Sequence, residues 1–129
     1  MSKGVVATLA YGAILLGAPL TAAYAQWTPG SELVGQSVQV ETNGVVNTIY
    51  FDPGGAARIM TPAGAVVQGT WSAANGQLCL QTGGGQECWP YQSAFQAGQA
   101  VTLVSNCQST SRWTPLSTNP VQQVGAERG

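Results

Sequence analysis

Histidine is absent from the 129 residues, and charge is nearly so: four Lys or Arg, five Asp or Glu, and a formal net charge of −1. Without His the chain lacks the usual general base, the commonest metal ligand and every His-dependent triad. The acids Glu32, Glu41, Asp52, Glu87 and Glu127 are scattered, and none forms a pair at a set spacing. The bases beyond Lys3 are only Arg58, Arg112 and Arg128. A basic patch is therefore missing, and with it the main energy term for binding phosphates of nucleic acid or an anionic membrane surface. Three cysteines, Cys79, Cys88 and Cys107, stand at no zinc spacing. Gly83-Gly84-Gly85 lacks the Lys and the helix that would make it a phosphate loop. No enzyme activity, cofactor or metal is expected.

What is present begins with an address. Lys3, the apolar run Val5 to Leu16, the breakers Gly17 and Pro19, and Ala23-Tyr24-Ala25 read as a Sec-type bacterial signal peptide over residues 1–25. The run is too short to span a bilayer stably, so the mature chain is expected in the periplasm or outside the cell, with no membrane span. An oxidising exterior permits disulfides. Residues 26–113 are expected to form one domain, and 114–129, rich in Pro, Ser, Asn, Gln and Gly, a disordered tail.

The domain is punctuated by turns. Asn43-Gly44 and Asn75-Gly76 are two-residue hairpin signals, Gly83-Gly84 is a third tip, and Asp52 to Ala56 and Thr61 to Ala65 read as three-residue loops. Counting outward from the tips sets Val38 opposite Ile49, Phe51 opposite Ala57, Ile59 opposite Val67, Trp71 opposite Leu80, Leu78 opposite Trp89 and Cys79 opposite Cys88. Side chains alternate faces along a strand, so one apolar face collects Val38, Ile49, Phe51, Ile59, Val67, Trp71, Leu78, Leu80 and Trp89. Cys79 and Cys88 fall on the reverse, as a non-hydrogen-bonded pair with Cα atoms about 4.5 Å apart, at the short end of the disulfide range. The alternatives are two free thiols, or a bond from either to Cys107. A further strand is expected over Gln99 to Ser105, with Cys107 sharing its inward parity as a buried free thiol, and a short last strand over Thr110 to Trp113. The class is all-β: an antiparallel up-and-down meander of seven to eight strands closing into a small barrel, with a β-sandwich as the alternative.

Phe51 to Gly55, Gly69-Thr70-Trp71, Leu78-Cys79-Leu80 and Cys88-Trp89-Pro90 resemble small secreted, lipocalin-like β-barrel proteins of proteobacteria. The likeness covers Leu33 to Cys107 and implies a shared scaffold and Cys pair. Lipocalins proper carry Gly-x-Trp near the mature N-terminus; here it falls mid-chain, so their ligand pocket is not implied. Secreted metalloprotease inhibitors are similar in outline, but their inhibitory N-terminal segment has no match at Gln26 to Leu33.

Asp52 reads as a turn residue beside Pro53, and Glu87 as an acid at the rim. Arg58, set opposite Tyr50 on the outer face, either stacks there or meets an anion or partner. Trp27, Trp113 and Tyr91 lie near strand ends, to plug the barrel or line its mouth. Tyr50, Arg58 and Tyr91 are the candidate interaction residues. The expected function is a non-catalytic secreted or periplasmic binding module for a protein partner, a protease among the candidates in a protease-inhibitor-like role, or for a small apolar ligand. The alternative is a structural or assembly component of the cell envelope.

Overall fold

Both Asn-Gly pairs adopt the left-handed turn their composition demands, with φ of 52° and 82° at Asn43-Gly44 and 56° and 74° at Asn75-Gly76. The computed structural model describes residues 27–121; the expected signal peptide and residues 122–129 lie outside them. Residues 28–121 form one unit of eight antiparallel strands: β1 (Gln36–Thr42), β2 (Val45–Phe51), β3 (Ala56–Met60), β4 (Val66–Ala74), β5 (Gln77–Thr82), β6 (Gly85–Pro90), β7 (Val101–Val104) and β8 (Thr110–Pro115).

The strands make a single sheet ordered β6-β5-β4-β3-β2-β1-β8-β7. It is a meander in which β8 folds back onto β1, with Val40 opposite Trp113, and that pairing curls it into a nearly closed barrel rather than a sandwich. The registers derived from the turns all hold: Val38 faces Ile49, Ile59 faces Val67, Trp71 faces Leu80 and Cys79 faces Cys88. The two three-residue loops close as expected, Asp52 N donating to Ala56 O and Thr61 N to Ala65 O.

Among the described residues, only the β6–β7 seam lacks a ladder. Asn106 bridges it, donating from its backbone N to Cys88 O at 3.0 Å and accepting from Cys88 N on Oδ1 at 3.0 Å. A ladder continued from that pair would set Pro90 against Val104, and proline has no N–H to donate. On β6, the Cys79–Cys88 disulfide staples the poorly paired strand to β5, with Cα atoms 4.0 Å apart.

Three expectations are corrected. The barrel runs on through Pro115, and the chain beyond it is tied down: Leu116 N donates to Ser37 O, Asn119 N to Glu32 O, and Asn119 Nδ2 to Ser31 O and Val34 O. From residue 114 as far as Asn119 the chain is thus ordered rather than a disordered tail. Cys107 is exposed, not buried. It lies in the β7–β8 turn, where Ser105 N donates to Ser109 O and Gln108 has φ 64°, and strand parity does not carry through a turn. Val67 keeps its register but is 41% exposed, because it sits at the barrel's open end.

Candidate functional site

The two ends of the barrel differ. One end is shut by the chain before β1, where Leu33 and Glu32 are fully buried. Gly30 (φ +90°) lies flat on Trp71; a Cβ there would come 2.9 Å from Cζ3 of that ring. Trp71 packs edge-on against Phe51 at 5.2 Å and donates from Nε1 to Asp52 O at 3.0 Å. Trp113 fills the centre, 4.9 Å from Trp89 and 5.7 Å from Phe95, and Phe95 lies 5.3 Å from Tyr91.

Within this plug Glu32 accepts hydrogen bonds from Tyr91 Oη at 2.5 Å and Phe95 N at 2.9 Å, while Tyr91 Oη accepts from Gly30 N at 2.9 Å. The buried carboxylate is matched by protein donors and is shut away from any substrate. No local signal in the sequence pointed to Glu32, whose partners lie 59 and 63 residues away. Tyr91, a candidate interaction residue, belongs to the plug and is 3% exposed; it presents no surface to a partner. Burial, and then the bond to Glu32, push its phenol well above the ordinary 10.0.

A folded state that holds Tyr91 protonated keeps its full stability below about pH 10 and loses it as pH rises further, where the unfolded phenol ionises. The expected slope for one proton is about 1.4 kcal/mol per pH unit. Urea midpoints between pH 8 and 11.5 should show it. Tyr91→Phe should start lower, by about 1–3 kcal/mol for the polar groups it strands, and lose this alkaline slope.

The other two candidates sit on the outer face of β2 and β3. Arg58 donates from Nε to Asp52 Oδ2 at 2.8 Å and from the terminal NH2 to Oδ1 at 3.0 Å, and its guanidinium lies 4.6 Å over the Tyr50 ring. The hydrogen bonds from Arg58 hold the Asp52 carboxyl below its usual range. The anion that Arg58 meets is therefore Asp52, and Tyr50, Arg58 and Tyr91 do not converge on one site.

The opposite end, ringed by the turns at 43–44, 61–65, 83–84 and 105–109, is open. Inside it is a cavity of about 190 Å³ with apolar walls of Val40, Ile49, Ile59, Leu80 and Trp89, and with Thr42, Asn47, Ser109, Ser111 and Glu87 as its polar lining. Thr42 Oγ1 and Ser111 Oγ bond each other at 2.6 Å. An outer bay of about 380 Å³ shares Ile59, Leu80, Glu87 and Trp89 and adds Thr82, Gly84, Gly85, Gln86 and Cys107. Glu87, across the ladder from Leu80, is the one charged side chain among the described residues that lines either space. The indole N–H of Trp89 is buried with no acceptor among the described residues.

Exposed valines flank the mouth, Val45 and Val67 on the inward parity of Ile49 and Ile59, and Val46, Val66 and Val104 on the outer wall. Val34 and Leu116 are the other large apolar side chains left in solvent among the described residues. Among those residues, moreover, no three His, Cys, Asp or Glu stand together as metal ligands. No helix among them is long and apolar enough to cross a membrane.

Fold and cavity together define a small antiparallel up-and-down β-barrel, disulfide-stapled, plugged at one end and cupped at the other. No protein-family model, no curated protein and no solved structure matches the chain.

Proposed function

We propose that the protein is a non-catalytic binding module of the periplasm or the extracellular space, and that a protein partner docks on its open end. The observation that carries this reading is the coincidence of the cup with the exposed valines around its mouth. An apolar patch rimmed by polar groups is the usual mark of a protein contact. The signal-peptide reading, the Cys79–Cys88 bridge and the lack of a long apolar helix among the described residues support the location. Glu32 and Asp52 are both engaged by protein donors, which supports a role without catalysis. Segment 28–35 is committed to the plug, so inhibition by an extended N-terminal arm is not part of this reading.

Val45→Asp with Val67→Asp tests it, since both side chains are exposed and their loss should leave the thermal midpoint within a few degrees. A partner retained from envelope extract or culture fluid by the immobilised mature protein should bind the double variant at least about tenfold more weakly. Equal retention by the two proteins, or no retained partner at all, would argue the reading down.

A further inference from the structure

Resting on that reading, we infer that the partner anchors itself by a lysine or arginine side chain inserted into the cup over Glu87. Three observations converge on it. The first is size: the inner cavity, at about 190 Å³, is half the volume of the bay outside it, about 380 Å³, and suits one long side chain entering from that bay. The second is the chemistry of the walls. Val40, Ile49, Ile59 and Leu80 offer an apolar sleeve for a methylene stem, and the Trp89 ring lining the same space can attract a cation through its π system.

The third is charge. Glu87 lines both the inner cavity and the outer bay, and no basic residue among the described ones lines either. A partner seated on the valine rim excludes water from the mouth, and that transfers Glu87 into a low-dielectric interface. An unpaired buried carboxylate is strongly unfavourable. An apolar or acidic group in the cup would leave Glu87 in that state, whereas an ammonium or guanidinium compensates it. The cup therefore selects by penalising the wrong occupants as much as by attracting the right one.

The test uses the folded mature chain and three probes followed by amide chemical shifts: the capped peptides acetyl-Val-Lys-Val-amide and acetyl-Val-norleucine-Val-amide, and n-hexylammonium. The expected result is shifts centred on Ile59, Leu80, Glu87 and Trp89, with the lysine peptide at least tenfold tighter than the norleucine peptide and tighter than hexylammonium. Glu87→Gln should weaken the lysine peptide roughly tenfold or more, added salt should weaken it too, and Glu87→Lys should shift the preference to a glutamate peptide. Equal binding of lysine and norleucine peptides, or indifference to Glu87→Gln, overturns the inference. If V45D/V67D still abolishes that binding, the open-end reading survives. Hexylammonium as tight as the peptide would assign the cup to a free small cation and overturn the protein anchor. No binding by any probe overturns the inference outright, and the partner-retention comparison above then decides the open-end reading separately.

Discussion

Trp113→Ala should cost about 3–5 kcal/mol, the range for deleting a large aromatic from a packed core, and so remove a large part of the roughly 5–15 kcal/mol that holds a domain folded. Trp113 is fully buried on β8 between β1 and β7, and it contacts both Trp89 and Phe95. Its loss opens a void at the point where the barrel wall, the plug and the floor of the cup meet. Its indole Nε1 has no acceptor among the described residues, so the loss is one of packing and not of hydrogen bonding. Trp113→Phe, which keeps a ring and sheds the unpaired N–H, should therefore cost less than half as much. Denaturant melts of the three proteins check the pair of expectations. If both substitutions cost the same, the packing account of Trp113 is wrong.

Removing the disulfide by the double change Cys79→Ala, Cys88→Ala should cost about 2.5–3 kcal/mol, the chain-entropy value for so short a loop. The bridge ties β6 to β5, and β6 is the strand whose other edge is held at only one place, by Asn106. The loss should therefore be local as well as global. Amide exchange should quicken along β6 and at Asn106 before it quickens in β1 to β3, where each strand is laddered on both sides. Uniform acceleration across the sheet would contradict the idea of a stapled seam.

Much of this fold was legible in the chain, because turn geometry is a property of a few consecutive residues. Asn43-Gly44 and Asn75-Gly76 can hardly be anything but tight turns, and the Pro- and Gly-bearing loops at 52–56 and 61–65 fix an odd number of residues between strands. Parity then follows, and it correctly set Ile59 opposite Val67 and Cys79 opposite Cys88. Where a turn was not recognised, at Ser105 to Ser109, parity was carried too far and Cys107 was placed inside. The stop at residue 113 failed for a related reason. Thr114 and Pro115 look like loop residues, yet Thr114 pairs with Gln39 and Pro115 with Val38, partners that no local pattern indicates.

The candidate site was less legible. Glu87 was placed at the rim, but nothing in the sequence showed that Thr42, Asn47 and Ser111 would join it there. Tyr50, Arg58 and Tyr91 stood out as residues of a chemical type suited to contact; Tyr50 and Arg58 pack on each other on the outer face, and Tyr91 is buried in the plug.

By itself, then, the sequence determined the strands from 36 to 90, their register, the face each side chain takes and the placing of Cys79 opposite Cys88. The tertiary structure alone decided that β8 would meet β1, that Glu32 would be buried against Tyr91, and that one end would fill while the other stayed open. The reason is the distance over which each is settled. A hairpin is closed by neighbours, whereas the plug and the cup depend on contacts between segments some 60 to 90 residues apart, whose loop-closure cost is met only once the whole sheet has curled.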